Sequence, residues 1–70
     1  MAVGKEKLVK DIISARRKVD VKKGEGIREI EIFEEHYEKS FRRVEQEKYI
    51  AKKFNQDELE QTLKAYQSLV

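Results

Sequence analysis

With 70 residues the chain is bounded to one domain, residues 1–70, and its lack of Cys and Pro and its single His remove disulfides, thiolate metal sites and zinc sites built on several imidazoles. The charged fraction is 43% and the hydrophobic fraction 39%, but the charges are mixed and the apolar residues are strong ones, so the composition is that of a charged helical protein rather than a disordered one. The net charge of +2 conceals blocks of alternating sign: residues 1–24 carry +5, 25–38 carry −5, 39–54 carry +4 and 55–70 carry −2.

No apolar run approaches the ~20 residues of a membrane span, and Met-Ala-Val-Gly-Lys lacks the apolar core of a signal peptide, so a cytoplasmic protein is expected. The absence of cysteine fits a reducing compartment.

In chain order, Leu8, Val9, Ile12, Ile13, Ala15 and Val19 form one apolar stripe at the helical period, which predicts a first helix over about 4–20. Arg16, Arg17 and Lys18 sit in its last turn, where a helix dipole favours positive charge. Lys22-Lys23-Gly24-Glu25-Gly26 then breaks the helix, and Gly24 or Gly26 is expected to take a positive φ.

From Ile27 the apolar positions run Ile30, Phe33, Tyr37, Phe41, Val44, Ala51 and Phe54, in steps of three and four interrupted where Lys48 falls on the stripe. This predicts a long central helix over 27–54. Glutamates fill its first turns and Lys52 and Lys53 its last. Phe54-Asn55-Gln56-Asp57-Glu58-Leu59 is the sharpest local signal: Asn55 as N-cap, Glu58 completing a capping box, and Phe54 with Leu59 as hydrophobic staple. A last helix is therefore expected over about 56–69, burying Leu59, Thr62, Leu63, Tyr66 and either Leu69 or Val70.

The fold class read from these elements is all-α, three helices with the long central one forming helical hairpins with its neighbours. A rival α+β reading exists. Val19 to Val21 and Glu29 to Ile32 alternate apolar with charged residues around a glycine-containing connection, as in a β-hairpin at 18–32 followed by two helices.

Candidate chemistry is sparse. His36 has no second donor three or four positions away, the neighbours at those spacings being Ile32, Phe33, Lys39 and Ser40, so it reads as an edge histidine and not a metal ligand. Ser14, Ser40 and Ser68 lack any nucleophile elbow, and Gly24-Glu25-Gly26 is too short to cradle a phosphate. No catalytic, cofactor or metal residue is assigned, and an enzyme is not expected. The amphipathic first helix lacks the Trp or Phe that anchors a helix to a membrane surface.

What the pattern does offer is assembly. A flat three-helix monomer would leave the central stripe under-covered, and a second copy would cover it. Laid antiparallel about Ser40, the acidic block of one central helix faces the basic block of its mate, which predicts a homodimer through Phe33, Tyr37, Phe41 and Val44. The expected function is a small non-enzymatic protein–protein interaction or regulatory module, with a protein partner. The alternative is a small nucleic-acid-binding regulator whose phosphate contacts are Arg16, Arg17, Lys18, Lys22, Lys23, Arg42 and Arg43.

Overall fold

The computed structural model describes residues 4–69. They form α1 (Lys5–Arg17), a single 3-10 turn (Val21–Gly24), α2 (Arg28–Ser40), α3 (Gln46–Lys53) and α4 (Gln56–Gln67). The all-α class stands, with four helices in place of three. No strand occurs among the described residues, so the β-hairpin at 18–32 does not form: Asp20 caps the 3-10 turn through a 3.0 Å bond from the Lys22 amide, and Glu29 to Ile32 lie in the first turns of α2.

The two glycines in the connection do different work. Gly26 has φ +88°, the left-handed backbone that an L side chain resists. Gly24 is buried because α2 leans on it, and a Cβ there would stand 2.8 Å from Cδ1 and Cγ2 of Ile30. Glu31 then ties the turn to α2 by accepting the Gly26 amide at 3.1 Å.

The long central helix is the expectation that fails. α2 ends at Ser40, whose hydroxyl turns back to donate to the Tyr37 carbonyl at 2.9 Å. The Phe41 amide bonds the Glu38 carbonyl and the Arg43 amide the Ser40 carbonyl, both three residues back, so the ladder tightens and stops. Gln46, in the first turn of α3, reaches back to donate to Ser40 Oγ at 3.2 Å, and this makes the buried serine the pivot of the bend. Helix α3 restarts in a new phase that buries Ile50 and Ala51 and leaves Val44 outside. The gain is core: the bend brings Phe54 to 6.0 Å from Phe33, contact that a straight rod over 27–54 would forbid.

Phe54-Asn55-Gln56-Asp57-Glu58-Leu59 folds as the sequence indicates. Asn55 Oδ1 accepts the Glu58 amide at 2.8 Å, Glu58 Oε1 accepts the Asn55 amide at 3.0 Å, and Phe54 and Leu59 are both buried.

Packing follows a crossed plan. α1 lies against α4 and α3, and α2 against the same two helices, so the pair before residue 41 sandwiches with the pair after residue 45. The core between them is built from Val9 and Ile12 of α1, Ile30 and Phe33 of α2, Ile50 of α3, and Leu59 and Tyr66 of α4. The molecule measures 30 × 29 × 19 Å.

Candidate functional site

Phe33 and Tyr37 of α2 and Phe41, its C-cap, are four apart, so their rings stand one above another along the helix. The resulting aromatic series starts in the core, where Tyr66 meets Phe33 edge-on with centroids 5.8 Å apart, and climbs through Tyr37 and Phe41 at 6.3 Å steps. Exposure rises along it. Phe33 is fully buried, Tyr37 is partly covered by the Arg16 guanidinium 4.2 Å from its ring centre, and Phe41 is 68% exposed. Val44, just beyond, is 100% exposed. The four side chains expected to make a common interface therefore divide: Phe33 and Tyr37 are taken up by the chain's own fold, and Phe41 and Val44 stand on the bend between α2 and α3.

That bend is also basic. Arg42 and Arg43 lie between the two apolar residues, and Lys48 and Lys52 of α3 line the same open hollow with Val44 and Tyr49. Arg43 sits over the Tyr49 ring at 4.3 Å and Lys53 approaches the same ring at 5.3 Å, so Tyr49 holds two cations in place by its π face. Glu45 takes up part of the positive charge through Lys48 at 3.4 Å.

The other basic group does not stay together. Arg16 turns inward, while Arg17, Lys18, Lys22 and Lys23 remain exposed around the end of α1 and the 3-10 turn. Its guanidinium grips Glu34 in bidentate fashion, Nε to Oε2 at 2.7 Å and Nη2 to Oε1 at 2.9 Å, and Tyr66 donates to the same Oε2 at 2.5 Å. The hydrogen bond that Arg16 donates to Glu34 raises its pKa against the opposing effect of burial. Burial, and next the hydrogen bond to Glu34, pushes the Tyr66 phenol far above its ordinary value of 10.0. Both carboxylate oxygens accept bonds from within the chain, so this clasp joins α1, α2 and α4.

His36 Nδ1 donates to the Ile32 carbonyl at 3.0 Å, and the ring packs edge-on to Phe54 with centroids 5.0 Å apart. Among the described residues no group of His, Asp and Glu side chains is placed to hold a metal ion. Between α2 and α4 a hollow of about 170 Å³ is lined by Arg28, Glu29, Ile32, Phe54, Glu58 and Thr62 among others. No helix of the described residues is long and apolar enough to cross a membrane.

The sequence pattern marked Phe41, Val44, Arg42 and Arg43 but could not join them into one surface, because it placed them on a rod. It gave no sign of the Arg16–Glu34–Tyr66 clasp, whose members lie 18 and 32 residues apart. Comparison with protein-family models, with curated proteins and with solved structures gives no match to this chain.

Proposed function

We propose that this chain is a small, non-catalytic interaction module that docks an acidic amphipathic helix of a partner protein on the Phe41–Val44 bend. The observation that carries the reading is the bend itself, where the two exposed large apolar side chains of the described residues, Phe41 and Val44, flank two arginines. Scattered single apolar residues on a surface need no explanation, but two on one bend beside Arg42, Arg43, Lys48 and Lys52 make an apolar centre with a cationic rim. Covering a phenylalanine contributes ~1.5–3 kcal/mol, and the surrounding cations add long-range attraction to carboxylates together with a choice of partner.

A nucleic-acid reading draws on the same four cations and on Phe41 as a stacking surface. It is second, because Val44 gains nothing from a phosphate, Glu45 and Glu47 interrupt the basic run, and Tyr49 is already engaged by Arg43 and Lys53.

The test is fluorescence anisotropy with two labelled probes, a designed peptide helix bearing one leucine face bordered by glutamates, and a random-sequence single-stranded oligonucleotide. The docking reading expects the peptide to bind and the double variant Phe41→Ser/Val44→Ser to lose at least tenfold in affinity. Binding of the oligonucleotide with a steep loss in salt, indifferent to Val44→Ser, would favour phosphate recognition instead.

A further inference from the structure

We infer that the bend at 41–45 is a hinge through which two copies of this chain exchange halves, giving a dimer in which α2 and α3 run as one continuous helix. The inference stands apart from the docking reading, since it concerns what the chain does with itself.

Three features of the molecule lead to it. The bend has the composition of a helix. Between Gly26 and the end of α3 there is neither Gly nor Pro, the apolar stripe of α2 continues at helical spacing into Phe41 and Val44, and Phe41 already has helical φ −54° and ψ −36°. Only tertiary packing bends a segment whose local preference is to run straight, with Glu45 at φ −109° and ψ 60° absorbing the turn.

The second feature is where the contacts lie. The major helix–helix packing, α1 and α2 against α3 and α4, crosses the hinge in every case. So do the Tyr66 bond to Glu34 and the ring contacts of Phe54 with Phe33 and His36. Each half is therefore a cover for the other and does not distinguish its own partner half from that of a second copy. Straightening the hinge in two chains and docking each first half on the other chain's second half rebuilds all of these contacts twice under two-fold symmetry.

The third feature supplies the preference. In the closed monomer Phe41 is 68% and Val44 100% exposed. On a continuous helix they sit three residues apart on one face, at the crossing point of the two central helices, where each chain can cover its mate's pair. A second copy is thus the occupant that fits by construction, because the same unsatisfied residues are brought to the axis from both sides. Exchange also removes the bend as a docking surface, so self-association and partner binding would compete.

The geometry is measurable. A continuous helix from Arg28 to Lys53 spans ~39 Å at ~1.5 Å per residue, longer than the 30 Å greatest dimension of the monomer. The full chain, refolded from urea at millimolar concentration, is expected to give a dimer by sedimentation, with a radius of gyration by small-angle scattering well above the 11.2 Å of the closed form. Exchange itself is read by cross-linking. Because the chain has no cysteine, Ser14→Cys in one copy and Gln67→Cys in another are unique sites, and these two exposed positions line one hollow between α1 and α4. A short bismaleimide should join the two different chains only after they have been refolded together. The pair Arg43→Gly/Val44→Gly, which a bend tolerates and a helix does not, should lower the dimer population at least tenfold, and Val44→Pro should do so further if it folds. A chain that stays monomeric, a dimer that yields no cross-link between Ser14→Cys and Gln67→Cys copies, or a dimer indifferent to the glycine pair would overturn the inference.

Discussion

The phenol of Tyr66 donates to the carboxylate of Glu34 across 32 residues of sequence, at 2.5 Å, from a position with no solvent exposure. This bond fixes the register of α4 against α2, and Arg16 completes it from α1. A carboxylate with charge-assisted bonds on both oxygens is satisfied without water, and among the described residues no buried side-chain polar atom lacks a partner.

Removing the hydroxyl alone should therefore be costly out of proportion to its size. Tyr66→Phe is expected to lose about 2 kcal/mol in urea unfolding, the usual value for a hydrogen bond to a charged group. Glu34→Ala should lose slightly more, since it leaves the Tyr66 hydroxyl buried without an acceptor and Arg16, a quarter exposed, without its counter-ion. An unchanged midpoint in Tyr66→Phe would mean that the ring, and not the bond, holds α4.

The same bond sets a pH dependence. The folded pKa of Tyr66 is raised, mainly by burial, above an unfolded value of ~10, so the folded state holds its proton longer. Its contribution to stability is complete below ~pH 10 and declines as pH rises beyond that value toward the folded pKa. The Tyr66→Phe variant should consequently show a shallower alkaline loss of stability than the wild type between pH 9 and 11, and absorbance at 295 nm should reveal a phenol in the wild type that ionises only on unfolding.

At the start of α4, Asn55→Ala should cost about 1 kcal/mol by removing the acceptor of the Glu58 amide. Glu58→Ala removes the return bond to the Asn55 amide, and because the two bonds share one motif the double variant should cost less than the two single losses added together. Thermal unfolding of the three variants checks this directly.

The glycines of the 20–27 connection should fail for separate reasons. Gly26→Val forces a β-branched side chain onto φ +88°, with open space around it, so about 1–2 kcal/mol of backbone strain is expected and no repacking can relieve it. Gly24→Ala has no such strain but drives a methyl to 2.8 Å from two atoms of Ile30, and should cost ~1–3 kcal/mol. Shortening the neighbour with Ile30→Val, which removes Cδ1, is expected to restore part of the loss in Gly24→Ala and none in Gly26→Val. Chemical denaturation of the three single and two double variants separates the two mechanisms.

Local grammar is legible in the residues alone. The apolar stripe of Leu8 to Ile13, the glycine break, the acidic first turns of α2 and the Asn55–Glu58 capping box all act within a few residues, and each appears where the pattern places it, to within two or three residues at the helix ends. The β alternation around Val19 and Ile30 is outweighed because a two-stranded ribbon alone would bury less than α2 does with Ile30 and Phe33 against α4. Tertiary structure alone decided the bend at Ser40 and everything that depends on it: the new phase of α3 that buries Ile50, the exposure of Phe41 and Val44 beside Arg42 and Arg43, and the meeting of Arg16, Glu34 and Tyr66. Local propensity favours helix on both sides of residue 41 and through it, so nothing within the segment records the turn. It forms because doubling the chain back buries Phe54 and Tyr66 around Phe33, an apolar gain between residues 21 and 33 positions apart that no local pattern can express.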